Sequence, residues 1–455
     1  MLLLSSWRNY SILKQVSASL IGLLLHLSIG ICQGFSAVLI PQLQNSNSEL
    51  QINSEDASWI ASVGVAAMPI FAVLVGILME AIGRKRSIQI SFLPLTVGWA
   101  IIALAPSVVM ICIGRFITGC AIAMDSAVVI YIAEINVPKI RATLLSLVGP
   151  TVLIGILTSY LLGHFIYWRT AAAILSILSA LCFFTFFIIP ESPVWLISGD
   201  KVDEATESLK WLRNNELATV NAELDELLKA KLSNNQNETE ESFIRTIIRT
   251  KAWKPFLILT CYFFLQQLCG AHIIVYYAVS FSNAFGTKID GFSSSLVYIL
   301  ISLFFGIVFT CIIEHTGRKT LTIVSSAGMC LSYLSAAVYQ YLWQNSPGNP
   351  MNWFPLVCIW ISVGFAMIGM NMLPWMMAGE LFPTRVRGVM AGFLWLTVYI
   401  YIFLCVKLYP LVVSIVEIHG VLMIFSVSGF VAIFLGKFFV PETKGMSLIE
   451  IESLW

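Results

Sequence analysis

Apolar residues in this chain gather in long runs that carry few charges, and short polar segments separate the runs. A helix needs about 20 apolar residues to cross the hydrocarbon layer of a bilayer. An all-α protein that crosses a membrane many times is therefore expected. Runs of that length predict twelve spans, at residues 17–40, 57–79, 88–105, 108–133, 143–163, 169–189, 255–280, 293–313, 321–342, 353–379, 389–409 and 420–440.

The longest polar segment, residues 190–254, lies between the sixth and seventh spans. Leucine and alanine recur at helical spacing in two parts of it, which predicts short amphipathic helices beneath the membrane domain. Asp200 and Asp203 resemble a pair that caps a helix N-terminus. Lysine and arginine fall mostly in this segment, at the termini and in loops on the same side. That distribution predicts that this side, with both chain ends, is cytoplasmic.

Three polar motifs follow the second, fourth and sixth spans and recur in the same order after the eighth, tenth and twelfth. Such a repeat indicates two pseudo-symmetric six-helix bundles, at 1–189 and 255–440, with a solute site between them near mid-membrane. Residues 190–254 would join the bundles, and 441–455 would form a cytoplasmic tail. The repeated motifs are Glu80-x-x-Gly83-Arg84-Lys85 and Glu314-x-x-Gly317-Arg318-Lys319, Glu134 with Arg141 and Glu380 with Arg387, and Pro190-Glu191-Ser192 and Pro441-Glu442-Thr443.

The segment from Gln266 to Tyr277 places two amides, an imidazole and two phenols inside the charge-free run 255–287. Unpaired polar groups are costly in hydrocarbon, so these side chains are expected to face protein, water or a ligand. Helical spacing puts Gln266, Ile273 and Tyr276 on one face. One interpretation is hydrogen bonding between helices. The other is a lining for a solute rich in hydroxyl groups.

The composition agrees with a membrane protein, because 58% of the residues are hydrophobic and 11% are charged, whereas soluble domains are about one quarter charged. A net charge of +1 leaves no sustained basic surface, so no nucleic-acid partner is expected. The ten cysteines lie in apolar spans without a Cys-x-x-Cys pair, which predicts neither a metal site nor a disulfide framework. The chain also lacks a nucleotide-binding loop and a nucleophile with its base, so neither a cofactor nor enzyme activity is predicted.

Taken together, the motifs resemble the sugar porter family of the major facilitator superfamily, over essentially the whole chain. Within that family the sequence is most similar to the insect branch called facilitated trehalose transporters. The segments that carry the resemblance are Gly76 to Lys85, Gly114-Arg115-Phe116, Tyr131-x-x-Glu134, Trp168-Arg169, Pro190-Glu191-Ser192-Pro193, Gln266 to Tyr277, Gly317-Arg318-Lys319, Pro374-Trp375, Gly379-Glu380-Leu381-Phe382-Pro383 and Pro441-Glu442-Thr443-Lys444-Gly445.

The resemblance implies a major facilitator fold and a bound sugar. Amides pair with hydroxyl groups, and an indole offers a flat apolar face to a pyranose ring. Gly149, Met372, Val398 and Tyr399 stand where the family has a glutamine, a proline, an asparagine and a tryptophan, so several hydrogen bonds to an ordinary hexose are missing. The residues expected to contact the sugar are Gln266, Gln267, His272, Tyr276, Tyr277, Ser302 and Trp375.

Proton-coupled members of the family carry an aspartate in the first span, where it can pair with the arginine of the fourth. Here Ser36 takes that position and Arg115 is the arginine, which favours uniport. Asp125 is an acid inside the fourth span and is therefore a candidate for coupling; a hydrogen-bonded structural role is the alternative. His272 can change its charge near neutral pH, or it can serve as a neutral donor in place of the family's asparagine.

The repeated acidic and basic residues are predicted to form a cytoplasmic gate, in which ion pairs between the bundles hold that side shut in the outward-open state. The alternative is a set of ordinary solvated charges. Exposed pairs contribute about 0–1 kcal/mol each, yet several together can bias a two-state equilibrium. The predicted gate consists of Glu80, Arg84, Glu134, Arg141, Glu314, Arg318, Glu380 and Arg387.

The expected function is facilitated transport of a small neutral sugar, a hexose or a trehalose-like disaccharide, across the plasma membrane. The protein would act as a monomer in the lipid bilayer by alternating access. Two alternatives stay open. One is a proton-coupled symporter that uses Asp125 or His272, and the other is a sugar sensor without transport, which the depleted polar pocket suggests.

Overall fold

The computed structural model describes residues 2–45, 49–236, 251–287, 289–313, 315–343, 351–383, 386–444, 446 and 450–451. In these ranges the regular secondary structure is entirely helical. Ten of the described helices are long and apolar enough to cross a membrane, and the bent pair Ser54–Ala72 and Leu74–Ile82 makes an eleventh. A twelfth results because the helix Arg387–Phe438 is divided at Glu417, whose backbone is not helical (φ 56°, ψ −179°). The predicted twelve-span fold is confirmed.

The spans are numbered 1 to 12 along the chain. Spans 1 to 6 are Leu2–Gln44, Ser54–Ile82, Arg84–Ala103, Val108–Ile122 with Asp125–Ile135, Pro138–Ser146 with Val148–Phe165, and Trp168–Thr185. The connecting segment contains Pro193–Ser198, Val202–Leu212 and Leu217–Gln236. Spans 7 to 12 are Trp253–Leu268 with Ile273–Tyr276 and Ala278–Asn283, Gly291–Ile312, Arg318–Trp343, Phe354–Ile368 with Leu373–Glu380, 387–416, and 418–438.

Spans 4, 7 and 10 are interrupted near their middle, at residues 123–124, 269–272 and 369–372. In span 7 Gly270 takes φ +84°, a conformation that other residues rarely adopt, and a Cβ there would lie 2.5 Å from Phe425. The helical face predicted for Gln266 with Tyr276 is therefore wrong, because the helix ends between them. The segment between spans 11 and 12, predicted at 389–409 and 420–440, is shorter than expected, since both helices extend to Glu417.

One close glycine contact in the first half differs from one in the second. In the first half a Cβ on Gly119 would lie 2.0 Å from the carbonyl oxygen of Gly64, so spans 2 and 4 touch backbone to backbone. In the second half a Cβ on Gly364 would lie 2.9 Å from the ring of Phe305. A ring can turn aside and a backbone carbonyl cannot, so the contact of spans 2 and 4 has less freedom to adjust than that of spans 8 and 10.

The outer surface of the helix bundle is apolar. Leu104, Phe187 and Leu331 are among many large apolar side chains that are exposed there, whereas the buried side chains of both halves form one continuous cluster. An apolar surface of this extent suits lipid rather than water. The chain is a multi-pass membrane protein.

The connecting helices pack against one end of the first half. The indole Nε1 of Trp195 donates to the carbonyl oxygen of Glu80 at 2.9 Å, and Arg213 donates to that of Ile135 at 3.2 Å. Near the N-terminus, Ser11 donates to the carbonyl oxygen of Leu212 at 3.0 Å. We call this end of the molecule the basic end and the other the opposite end.

The capping pair predicted at Asp200 and Asp203 is wrong. The helix begins at Val202 and has no side-chain hydrogen bond at its N-cap, Lys201. Asp200 instead takes φ +60°, and its carboxylate accepts a hydrogen bond from Lys231 at 2.6 Å.

Candidate functional site

Gln266, Gln267 and His272 form a chain of hydrogen bonds at the break in span 7. Gln266 Nε2 donates to the carbonyl oxygens of Met370 and Asn371 at 3.2 and 3.0 Å. Gln267 Nε2 donates to Gln266 Oε1 at 3.1 Å, and Gln267 Oε1 lies 2.8 Å from His272 Nδ1. Because an amide oxygen only accepts, this last bond needs a proton on Nδ1. Span 7 thus satisfies carbonyl groups that the break in span 10 releases.

Most of the predicted sugar contacts are buried in this conformation. The hydroxyl of Tyr277 donates to the carbonyl oxygen of Val406 at 3.2 Å, and that of Ser302 donates to Tyr298 at 2.9 Å within its own helix. Tyr276 is 2% exposed. The two glutamines are 0–1% exposed. Among the seven predicted contacts, partial exposure remains at His272 and Trp375.

Trp375 belongs to an aromatic cluster at the start of the second piece of span 10. Its ring stacks on Trp395 of span 11, with the centroids 5.0 Å apart and the planes 16° apart. Phe263 of span 7 meets both indoles edge to face, at 5.2 and 5.8 Å. Such packing fixes the orientation of the two indoles. Trp395 was not predicted from the sequence, although an indole four residues before Tyr399, which stands where the family has a tryptophan, was a usable signal.

Arg115 is 2% exposed and ties span 4 to spans 1 and 2. Its guanidinium donates to the carbonyl oxygen of Cys32 at 2.7 Å, to that of Ile60 at 3.3 Å and to the hydroxyl of Ser36. In the described part of the chain no carboxylate lies within ion-pair distance of this arginine. The charge is therefore solvated by neutral acceptors.

A second tie between spans 1 and 4 joins His26 to Asp125. The imidazole Nε2 is in ion-pair contact with the carboxylate, and His26 is 1% exposed while the Asp125 side chain is 34% exposed. The two groups lie within ion-pair distance, but their geometry is not that of a hydrogen bond. Both ring nitrogens of His26 are therefore without a hydrogen-bond partner. Sequence reasoning missed His26, although an imidazole inside an apolar span was a signal of the kind that singled out His272.

Asp125 lines a cavity between the two halves that is open to solvent. Residues of spans 2 and 4 form one wall, and residues of span 11 form the other. The lining residues are Ala72, Ala123, Asp125, Ser126, Gly392, Trp395 and Tyr399.

At the basic end of the first half the repeated motifs meet in one cluster. Arg84 lies 3.2 Å from Glu134 and 3.1 Å from Glu80, and Ser192 donates to Glu134. The carboxylate of Glu191 accepts from the backbone amides of Lys85 and Arg86 at 2.8 and 3.2 Å. A negative charge at the start of span 3 stabilises that helix.

The second half repeats this cluster. Arg318 lies 3.1 Å from Glu380, and Thr443 donates to the same carboxylate at 2.9 Å. Glu442 accepts from the backbone amides of Arg318 and Lys319 at 2.9 and 3.2 Å, as Glu191 does in the first half.

These pairs lie within each half, whereas the predicted gate pairs join the two halves. Arg141 donates to the backbone carbonyl of Asn136 at 3.1 Å, and its Nε is buried without a partner. Glu314 and the side chain of Arg387 lie outside the described residues. The gate of the outward-open state stays a prediction, since this conformation is closed at the other end.

At the opposite end the two halves touch. The hydroxyl of Tyr160 donates to the carbonyl oxygen of Val275 at 2.9 Å. Lys407 donates to Ser58 at 2.7 Å and lies 3.7 Å above the ring of Trp59. The ring of His164 stacks on that of Phe292 with the centroids 3.8 Å apart.

Comparison with known proteins identifies the family of this chain. The sequence profile described as sugar (and other) transporter matches residues 14–455. The chain belongs to this sugar transporter family. The resemblance stated from the motifs is therefore confirmed, and so is the expectation that the protein is a transporter and not an enzyme.

Similar members of the family include insect proteins. The facilitated trehalose transporter Tret1 of Bombyx mori is 31% identical over 434 residues, which cover 94% of this chain and 84% of the relative. Tret1 of Apis mellifera ligustica is also 31% identical, over 96% of this chain and 87% of the relative. Among solved structures, the inward open conformation of the xylose transporter XylE from E. coli matches with a TM-score of 0.80 at 20% identity, covering 97% of this chain and 100% of XylE. That structural match supports the major facilitator fold of this sugar transporter.

Proposed function

We propose that this member of the sugar transporter family is a uniporter that carries a small neutral sugar, a hexose or a trehalose-like disaccharide, across the plasma membrane. The observation that carries the uniport proposal is the environment of Arg115. Its partners are the hydroxyl of Ser36 and two backbone carbonyls, none of which gains or loses a proton near neutral pH. The Arg115 contact therefore offers no switch for a proton.

Alternating access is supported by where the two halves touch. Tyr160, Lys407 and His164 each contact the other half at the opposite end, and the Asp125 cavity lies between the halves. The basic end, which the distribution of lysine and arginine assigns to the cytoplasm, would close when the opposite end opens. Binding is expected to be weak, on the order of millimolar or about 4 kcal/mol, because a carrier must release its solute.

Uptake by the purified protein in liposomes tests the proposal. Radiolabelled glucose, trehalose and fructose would be offered with and without a pH gradient, and protein-free liposomes serve as the control. We expect one or more sugars to equilibrate to the external concentration in both conditions. Accumulation above that concentration under an inward proton gradient would contradict uniport.

A proton-coupled symporter is the second candidate, and the contact between His26 and Asp125 favours it. An imidazole beside a carboxylate in a membrane span can hold or release a proton. The same liposomes decide between the two candidates, because only the symporter accumulates sugar against its gradient.

A further inference from the structure

We propose that the carboxylate of Asp125 accepts hydrogen bonds from sugar hydroxyl groups, with Trp395 and Tyr399 as the apolar wall of the same subsite. This inference rests on the proposed transport function and names a binding residue for it. The subsite would lie in the cavity between the halves, on the side of the aromatic cluster nearest to span 4.

The break in span 4 supports this position. In transporters built from repeats, interrupted helices at corresponding places in the two halves mark the solute site. Span 4 corresponds to span 10 in the repeat, and both are broken, at 123–124 and 369–372. Asp125 is the first residue of the helix Asp125–Ile135, where the positive end of the helix favours a negative side chain.

The carboxylate of Asp125 has acceptor capacity to spare. Two carboxylate oxygens offer about four lone-pair sites, and the contact with His26 occupies one direction. About one third of the side chain remains exposed, 34%, and it lines the cavity. His26 is buried, so its contact lies on the buried side of the carboxylate, while the exposed part of Asp125 lines the cavity.

The opposite wall suits a sugar ring. Trp395 and Tyr399 are four residues apart on span 11 and therefore share a face. Trp395 is held by its stack on Trp375, so it presents a fixed indole to the cavity. A pyranose combines apolar C–H faces with hydroxyl donors, and this cavity combines an aromatic face with a charged acceptor.

The two glutamines of span 7 are not available to bind a sugar in this conformation, which strengthens the assignment of Asp125. Both are buried and bonded to each other, to His272 and to the carbonyls of span 10. Gly149 and Val398 supply no amide either. In this conformation a hydroxyl group in the cavity therefore finds its strong acceptor at Asp125.

Uptake of glucose by Asp125→Asn tests the proposal. The amide removes the charge and one acceptor. Because a hydrogen bond to a charged group contributes more than one to a neutral group, we expect the KM to rise at least about tenfold. Asp290→Asn is the matched control, because Asp290 caps span 8 away from the cavity and asparagine caps equally well. Its KM should equal that of the wild type. An unchanged KM in Asp125→Asn, with uptake by the wild type intact, would overturn this inference and leave the proposed function standing.

Monodeoxy analogues of glucose give a test that does not depend on a variant's folding. The analogue that lacks the contacting hydroxyl should show a KM about tenfold higher in the wild type. In Asp125→Asn that analogue and glucose should have similar KM values. If every analogue behaves like glucose in the wild type, Asp125 is not an acceptor for the sugar.

The pH profile separates sugar binding from proton binding at the same group. If Asp125→Asn abolishes a pH dependence of uptake and leaves the KM for glucose unchanged, the residue carries a proton and the proposal fails. If liposomes with the wild type take up neither glucose nor trehalose, the proposed function fails, and this inference fails with it.

Discussion

At the basic end, Arg84 lies 3.2 Å from Glu134 in the first half, and Arg318 lies 3.1 Å from Glu380 in the second. The breaks of spans 4 and 10, which also correspond, are unlike each other. Span 4 places a charged carboxylate at its break, while the break of span 10 releases carbonyls that Gln266 satisfies. The symmetric contacts lie at the helix ends, and the asymmetric ones lie at the proposed sugar subsite.

The largest effect is expected from two glycine contacts, that of Gly119 between spans 2 and 4 and that of Gly364 between spans 8 and 10. Gly119→Ala places a Cβ against the backbone of Gly64, and we expect it to lower the free energy of unfolding by about 3 kcal/mol. Gly364→Ala meets the ring of Phe305, which can turn, and should lower it by about 1 kcal/mol or less. Thermal unfolding of the detergent-purified proteins measures both.

Gly76→Ala is the control, because a Cβ there has no neighbour within 4 Å. Equal losses at Gly119 and Gly364 would show that these two helix contacts tolerate an added methyl group equally.

Removal of a carboxylate charge from the ion-pair cluster should have equal effects in the two halves. Glu134→Gln and Glu380→Gln each keep the shape of the side chain and remove the negative charge that faces an arginine. The interaction with that arginine should weaken by about 2 kcal/mol. We expect the maximal uptake rate to fall about tenfold or more in each variant and by similar factors. Uptake at equal surface expression is the measurement.

Glu80→Gln serves as the matched control, since its carboxylate is 69% exposed and pairs with the same Arg84. Its uptake should stay close to that of the wild type. A strong loss in one half with none in the other would break the symmetry of the basic end.

The contact of Lys407 with Trp59 should have a smaller effect. Lys407→Gln removes the charge above the indole, which contributes about 0.5–1 kcal/mol at an exposed site. The opposite end should then open more often, seen as faster hydrogen exchange in the peptide that contains Ser58 and Trp59. Lys437→Gln, at the other end of the second half, should leave that peptide unchanged.

The smallest effect is expected at His272. An asparagine there keeps a donor near Gln267, so His272→Asn should change the KM for glucose by about twofold or less. A tenfold change would mean that the amide chain, and not Asp125, contacts the sugar. Parallel KM measurements on Asp125→Asn make that comparison direct.

The symmetric parts of the molecule were predictable from the sequence. Glu191 and Glu442 stand at equal places in the repeat, and each accepts from the backbone at the start of a neighbouring span. Motifs at equal spacing in the two halves make equivalent contacts in the structure, because the ends of the helices lie at one level of the membrane.

The middle of the membrane was predicted less well. Charge-poor runs look alike whether a helix is continuous or broken, so the breaks in spans 4, 7 and 10 left no signal in the hydrophobic pattern. Gln266 and Tyr276 were placed on one face for that reason. The partner of Asp125 could not be assigned either, because which residues of spans 1 and 4 face each other depends on how the helices rotate.

The contacts that close the opposite end also bear on the speed of the carrier. The hydrogen bond of Tyr160, the lysine above Trp59 and the stack of His164 on Phe292 each contribute about 1 kcal/mol. Breaking all three would add about 3 kcal/mol to the activation barrier, a factor of about one hundred in rate. A closure of that strength slows the turnover of the carrier without locking it in one state.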